Sequence, residues 1–286
     1  MVLRRWAARI VDHKATAYVL LCVILAVLLF PIFWTFITSF KSLEETFHWP
    51  PTYFPHRFTF EAYFGGRRGI LTGSPVPIYL MNSLIISLTT SFVVTAAGIL
   101  TAYGLVRYPF KGSKAALVLF LLTRLIPPIA LLLPFYLILR YLGLINTRTG
   151  VIFYTIYLCY PLVVWMLKSF FEAFPGELID AALVDGASRL GALLRVVIPT
   201  MATGISAVAI IAFLWTWNEF LAPFIFINSD VLKPITVGIY YFVGDELTYW
   251  NTLAAAGVLA IIPGIIFFIV AQRWIVKGLT AGMGKM

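Results

Sequence analysis

Long stretches without any charged residue constrain this sequence more than any other feature. Residues 15–40 contain no Asp, Glu, Lys, Arg or His, and neither do residues 69–106. A helix of roughly 20 apolar residues crosses the hydrocarbon core of a bilayer. A soluble domain carries about 25% charged residues, whereas this chain carries 12%, with 61% hydrophobic residues. Because so few charges cannot cover a water-facing surface, we expect a membrane protein.

Six segments are long and apolar enough to predict six transmembrane helices in an all-α membrane protein. They are residues 15–40, 79–106, 115–139, 150–171, 203–227 and 247–272. Pro75 and Pro77 place the expected start of the second helix near Tyr79. The first apolar run is too long for a signal peptide and no small-residue cleavage site follows it, so we expect it to be retained. We expect one transmembrane domain over residues 1–286, with a cytoplasmic loop at 172–200.

Basic residues predict the orientation of these helices. If the N-terminus is inside, most of the 21 Lys and Arg residues fall on the cytoplasmic side, so both termini are expected there. The outer loop at residues 41–78 is rich in Pro, Gly and aromatics and is expected to be irregular. The basic residues form no patch interleaved with aromatics, so the expected surroundings are membrane lipid and not nucleic acid. Cys22 and Cys159 have no metal-ligand spacing, and no metal site is predicted.

The predicted cytoplasmic loop contains a segment with the features of two short helices. Glu177 and Asp180 supply acids suited to a helix N-terminus, and Gly186 interrupts the helical pattern. We therefore expect a short helix, a bend and a second helix over residues 177–199. An amphipathic helix lying on the lipid headgroups is the alternative from pattern alone.

The spacing of apolar residues in this segment predicts that they share one helical face. Arg189 and Arg195 come later in the segment, where cations suit the C-terminal half of a helix. The residues expected on this face are Leu183, Ala187, Leu190, Leu194 and Val197.

The same loop carries a resemblance to a known family. It contains Asp180-Ala181-Ala182, three residues, Gly186, nine residues, Val196, one residue and Ile198-Pro199. This resembles the loop Glu-Ala-Ala, three residues, Gly, nine residues, Ile, one residue, Leu-Pro of the permease subunits of binding-protein-dependent ABC importers. The motifs LWTWNEF, YLMNSLIIS, LGLINT and VKGLTAGMGKM resemble its carbohydrate-uptake branch, the maltose-system (MalG-like) subunits. The resemblance extends over residues 15–286.

The resemblance implies the type I ABC importer permease fold in the cytoplasmic (plasma) membrane of a prokaryote. It also implies four partner proteins: a sister permease subunit in a heterodimer, two ATPase subunits, and an extracytoplasmic sugar-binding protein. ATP and Mg would be bound by the ATPases. We expect no cofactor and no catalytic residue in this chain, and it is not expected to be an enzyme, because it lacks the phosphate-binding sequence G-x-x-x-x-G-K-[ST].

The resemblance also assigns expected contacts. In that family the loop forms a coupling helix that docks on an ATPase, and the connection before the last span reaches the binding protein. The residues 280–286 are expected near the ATPases as well. The expected ATPase-coupling residues are Glu177, Asp180, Ala181, Ala182, Asp185, Gly186, Ala187 and Pro199. The expected binding-protein contacts are Gly244, Asp245, Glu246 and Leu247.

Arg124 and Glu219 are the ionisable residues well within predicted spans. Intramembrane charges are costly and indicate function by default. One interpretation is that they line the translocation path together with Asn218 and hydrogen-bond a sugar. The alternative is a structural role, in which they pair with each other or with a partner subunit.

The expected function is therefore ATP-driven import of a mono- or oligosaccharide by alternating access, coupled through residues 177–199. An importer for a polyol or a glycerol-phosphate type solute is the closest alternative. An ion-coupled secondary transporter would need more intramembrane carboxylates and often inverted repeats, and neither is visible. A membrane-embedded enzyme would need clustered acids, His or Ser near one face, and no such cluster is present in the sequence.

Overall fold

The structure of the protein is a computed structural model, and it describes residues 14–66, 69–240, 242–243 and 248–283. The described residues are helical and contain no β-strand. The helices are α1 (Lys14–Thr38), α2 (Leu43–Thr46), α3 (Glu61–Phe64), α4 (Val76–Arg107), α5 (Ser113–Leu122), α6 (Pro128–Tyr141), α7 (Arg148–Ala173), α8 (Gly176–Val184), α9 (Arg189–Ala192), α10 (Ile198–Thr200), α11 (Ala202–Trp217), α12 (Leu221–Phe226), α13 (Ile235–Tyr240) and α14 (Trp250–Met283). Single turns of 3₁₀-helix occupy Thr123–Leu125 and Asp230–Leu232, and a π-turn occupies Leu193–Val197.

Four of these helices, α1, α4, α7 and α14, are individually long and apolar enough to cross a membrane. Two bent pairs of helices also qualify if each pair is taken as one span. The described part of the chain therefore contains four to six membrane spans. This agrees with the all-α membrane fold that the sequence predicts.

The second span begins at Val76 and not near Tyr79. Pro77 lies in the first turn of α4, where a backbone N–H has no intrahelical partner. Proline therefore costs nothing at that position, and the helix starts earlier than the two prolines suggest.

The third and fifth predicted spans are interrupted. After α5 and its 3₁₀ turn, Pro127 forces Ile126 into an extended conformation, and α6 departs at 99°. In the fifth span, α11 ends at Trp217, and residues 218–220 separate it from α12. Neither segment is the continuous helix that hydropathy alone predicts.

The chain divides into two compact units. The first comprises residues 1–74 and 242–259, and its described part contains α1 and the outer loop. Apart from α2 and α3 this loop is irregular, as expected. Its aromatic side chains are largely exposed, such as Trp49 at 86% and Tyr53 at 65%. Amphipathic aromatics of this kind favour a membrane–water interface.

The second unit comprises residues 75–241 and 260–286, and its core lies between α4, α7 and α11. Small residues allow close packing, since a Cβ added to Gly98 of α4 would lie 2.8 Å from Val163 Cγ1 of α7. Hydroxyls add hydrogen bonds between helices. Thr90 and Thr155 share one of 2.8 Å, and such contacts stabilise helix pairs in lipid.

Candidate functional site

The loop after α7 folds as a helical hairpin, defined here as residues 176–200. Helix α8 ends at Val184, and Gly186 adopts a φ of +86°. The Ala187 N–H donates to the Ala182 carbonyl at 3.0 Å, which closes the α8 terminus in the manner of a Schellman motif. The Ser188 hydroxyl accepts from the Gly191 N–H at 3.1 Å and caps the next helix. The predicted helix, bend and helix are confirmed.

The prediction that five apolar residues of the hairpin share one helical face is partly wrong. Val197 is buried in the core, whereas Leu190 and Leu194 are 56% and 54% exposed. The turn at Gly186 resets the helical phase, and the π-turn at Leu193–Val197 shifts it again, so a pattern drawn for one continuous helix fails. The side chains that pack into the core are Ile179, Ala192, Leu193 and Val197.

The other side of the hairpin is an exposed apolar surface, which we call the hairpin surface. Its large members are Leu178, Val184, Leu190 and Leu194, and Val184 is 87% exposed. Ala181 is exposed beside them, whereas Ala182 and Ala187 are half-buried. Glu177 and Asp185 are exposed at the two ends of α8. An exposed apolar patch with a charged margin is typical of a protein–protein contact.

Two charged residues of the hairpin contact the C-terminal end of α4. Asp180 forms an ion pair with Arg107. The Arg189 guanidinium lies 4.7 Å from the centre of the Tyr108 ring. Arg189 begins α9 and does not lie in a C-terminal half, because Ser188 starts a new helix.

Of the remaining residues predicted to contact partner proteins, only Pro199 has a side chain in the described part of the chain. Pro199 is exposed in α10, just before the chain bends by 82° into α11. Residues Gly244, Asp245, Glu246 and Leu247 lie outside the described part of the chain, as do residues 284–286. The side chains of residues 280–283 are likewise outside it.

Arg124, Asn218 and Glu219 line a single cavity of about 340 Å³. Trp215 and Thr155 also line this cavity. The sequence predicts the three polar residues as path candidates, and the structure brings them together. Trp215 was missed, because a tryptophan in an apolar run carries no signal that separates a cavity wall from a lipid-facing surface.

Arg124 and Glu219 form no ion pair with each other in the described residues. The Arg124 guanidinium donates to the Leu158 carbonyl at 2.5 Å and lies 4.4 Å from the Trp215 ring centre. Glu219 Oε1 accepts from the Ala222 N–H at 2.9 Å, at the start of α12. The geometry does not support mutual pairing, and each charge has other partners in this unit.

The cavity adjoins both helix interruptions. Arg124 and Pro128, next to the first interruption, and Asn218 and Glu219, at the second, all line it. Irregular backbone at membrane depth is tolerated where it is buried in protein or lines a cavity. Interrupted helices of this kind present polar backbone and side-chain groups to a solute. The Pro127-Pro128 pair is the sequence feature that could have indicated the first interruption.

This chain is similar in sequence to known membrane transport proteins. Residues 94–281 match the family described as "binding-protein-dependent transport system inner membrane component". The sulfoquinovosyl glycerol transport system permease protein SmoH of Agrobacterium fabrum is 35% identical over 254 residues, covering 89% of this chain and 88% of that protein. The trehalose/maltose transport system permease protein MalG of Thermococcus litoralis is 31% identical, covering 90% and 91%.

A solved structure has the same fold. It is the crystal structure of a bacterial ABC transporter involved in the import of the acidic polysaccharide alginate. The TM-score is 0.77 at 22% identity, and the match covers 93% of this chain and 97% of that chain. At this level of identity the similarity concerns the arrangement of helices.

Proposed function

Since this chain belongs to the family of binding-protein-dependent transport system inner membrane components, we propose that it is a permease subunit that carries a sugar or glycoside through the membrane by alternating access. Members of this family are multi-pass membrane subunits of ABC importers and are not themselves enzymes. Relatives named for sulfoquinovosyl glycerol and for trehalose and maltose support a carbohydrate solute.

The observation that carries the proposal is the hairpin between two spans. One face packs into the helix core through Ile179 and Leu193, and the opposite face exposes Val184 and Leu190. An element anchored in this way can pass a movement imposed on its exposed side to the spans. We propose that separate ATPase subunits, which bind ATP and Mg, grip the hairpin surface on the cytoplasmic side.

The cavity is proposed as part of the translocation path. Arg124 donates hydrogen bonds, Glu219 accepts them and Asn218 does both, and this combination suits a polyhydroxylated solute. Trp215 offers an apolar surface in the same cavity. Ligand sites commonly combine an apolar lining with a few such polar groups. A sister permease and an extracytoplasmic binding protein would complete the path.

A glycerol-phosphate type or other anionic solute is a second candidate, and Arg124 favours it. Among the described residues no carboxylate forms an ion pair with this guanidinium. An anionic group on a solute could then bind it by charge-assisted hydrogen bonds.

Uptake by the reconstituted complex tests the proposal. The chain is incorporated into liposomes with its sister permease, ATPases and binding protein. ATP-dependent uptake of neutral oligosaccharides, anionic glycosides, polyols and glycerol phosphate is then compared. Uptake of a carbohydrate is the expected result. Uptake that follows an ion gradient and ignores ATP would contradict it.

A matched pair of alanine variants tests docking on the hairpin surface. Ala181 is exposed, so Ala181→Asp should weaken co-purification of the ATPases and leave the thermal stability of the permease unchanged. Ala182 packs against the core, so Ala182→Asp should lower stability as well, because it places a charge beside apolar residues. Equal ATPase retention by Ala181→Asp and the unmodified chain would argue against docking there.

A further inference from the structure

Helix α4 makes polar contacts to other elements at both of its ends. It has 32 residues without interruption, about 48 Å at the rise of an α-helix. We propose that α4 is a rod that transmits movement of the hairpin to residues 228–240 on the opposite side of the unit, with Arg107 as the positioning residue. This inference rests on the proposed function, since it assumes that the hairpin is moved by ATPases.

The first contact set, which we call the hairpin clasp, lies at the C-terminal end of α4. Arg107, the last residue of the helix, pairs with Asp180 of α8 and lies 3.4 Å from the Gly176 carbonyl oxygen. Tyr108, the next residue, stacks with Arg189 of α9. A Cβ at Gly176 would lie 2.8 Å from Arg107 Nη1, so glycine leaves room for the guanidinium. Both helices of the hairpin are thereby joined to one end of α4.

The second contact set, the distal clasp, lies near the N-terminal end of α4. The Asn82 amide donates to the carbonyls of Val231 and Lys233, both at 2.9 Å. The Ser83 hydroxyl accepts from the Ile235 N–H at 2.8 Å. Asn82 and Ser83 are 0% and 2% exposed. These bonds fix residues 228–240 to α4 in a defined position, because buried hydrogen bonds are costly to break.

The hairpin clasp contains an exposed ion pair, whereas the distal clasp consists of buried hydrogen bonds. Arg107 and Asp180 are 28% and 62% exposed, and ion pairs with this exposure contribute little to folding stability. Their contribution is directional, since a guanidinium fork holds a carboxylate in a preferred geometry. A rotation of the hairpin therefore displaces the end of α4, and the helix carries the displacement to the carbonyls at Val231 and Lys233. The residues expected to meet the binding protein, 244–247, follow this segment in the sequence.

The test places a reporter at the distal clasp and removes the hairpin clasp. Val231 has a side chain that is 56% exposed, so Val231→Cys can carry an environment-sensitive fluorophore in a Cys22→Ser background. The labelled complex is reconstituted with its ATPases and binding protein, and fluorescence is followed on ATP addition. Arg107→Met should reduce the ATP-induced signal and the solute moved per ATP by about fivefold each. The reversed pair, Arg107→Asp with Asp180→Arg, should restore both.

Lys168→Met is the matched control. It removes the Lys168–Glu172 pair, a 2.5 Å contact that is similarly exposed but lies within α7 and joins no second element. Both readouts should remain at the level of the complex without this substitution.

The outcomes separate this inference from the proposed function. If the complex with an unmodified hairpin clasp shows no ATP-driven uptake, the proposed function and the rod are both overturned. Normal uptake with an unaltered signal in Arg107→Met overturns the rod alone. Failure of the reversed pair to restore the signal overturns it too, and indicates that Asp180 acts on the ATPase directly. If the complex with Arg107→Met does not assemble, Arg107→Lys takes its place, because lysine keeps the positive charge but lacks the planar guanidinium. An undiminished ATP-induced fluorescence signal in Arg107→Lys would also overturn the rod.

Discussion

Gly186 shows how a single residue sets the shape of the hairpin. Its φ of +86° lies in the left-handed region, where a side chain with a Cβ is strained. Nothing lies within 4 Å of a Cβ built there, so the constraint comes from the backbone and not from crowding. A residue other than glycine therefore has to distort the turn between α8 and α9.

We predict that Gly186→Val costs about 1–2 kcal/mol locally, because a β-branched residue in the left-handed region is strained. The permease should still insert, while ATP hydrolysis becomes uncoupled from uptake. Uptake per ATP in the reconstituted complex measures this. Gly104→Ala is the control, since Gly104 is helical with open space around it and should tolerate the methyl group. Full coupling in Gly186→Val would contradict the role of the bend.

Arg124 is the cation of the cavity, and its replacement gives a second prediction at this scale. Arg124→Met should reduce uptake by about tenfold or more, because charge-assisted hydrogen bonds to the solute are lost. Arg140→Met is the control, since Arg140 is exposed at the end of α6 and does not line the cavity. Uptake should be measured over a range of solute concentrations.

The reversed pair at this site should behave differently from that at Arg107. Combining Arg124→Glu with Glu219→Arg should not rescue transport, since the two residues form no ion pair and Glu219 caps α12. Rescue would show that they pair in some state of the transport cycle.

At the scale of elements, one carboxylate joins distant parts of the outer loop. Glu45 Oε1 accepts from the Thr52 hydroxyl at 2.8 Å and from the His56 N–H at 2.9 Å. Burial alone raises the pKa of Glu45, but these hydrogen bonds and the His56 ring outweigh it and hold the pKa below 4.5. The ionised form therefore stabilises the folded loop.

This predicts how the loop responds to acid. A group with a lowered pKa contributes its full stabilisation above its ordinary value of 4.5, and the contribution is lost as the pH falls through the lowered pKa. Backbone hydrogen exchange of residues 43–59 should accelerate over that acidic window. Glu45→Gln should remove this pH dependence, whereas Glu44→Gln, at an exposed neighbour, should leave it intact. An identical acid response in Glu45→Gln would contradict the assignment.

The interrupted spans show why elements at the cavity were harder to predict than the others. Hydropathy identifies residues 115–139 and 203–227 as apolar, but it contains no information on whether the helix continues through them. The interruption at 218–220 contains no proline and coincides with Asn218 and Glu219. Their polar groups find partners in the surrounding helices, which makes the break tolerable.

At the scale of the whole molecule, the distribution of basic residues along the sequence predicts which surfaces face each side. Val184→Cys on the hairpin surface should react with a membrane-impermeant thiol reagent only from the cytoplasmic side. Trp49→Cys in the outer loop should react only from the opposite side. Both positions are more than 80% exposed, so accessibility within the chain is not limiting. Cys22, in the middle of α1, should stay unreactive in membranes, and the reverse pattern at the other two sites would invert the predicted topology.

The sequence by itself determined the medium, the class of fold and the position of the hairpin. These follow from local properties: long uncharged runs require lipid, basic residues bias orientation, and a glycine at a fixed distance from two alanines bends a short helix. The resemblance to the permease family rested on the same segment, residues 180–199, and on four further motifs, and the comparison with relatives confirmed it.

The tertiary structure decided which residues meet. Arg124 and Glu219 are far apart in sequence, and only the packing of α6, α7 and α11 shows that they share a cavity without pairing. Likewise, nothing in the sequence joins Arg107 to Asp180 or Asn82 to Val231, because such contacts depend on the register between helices. Periodicity describes one helix at a time, and side-chain volumes at the interface between helices set how one helix lies against the next.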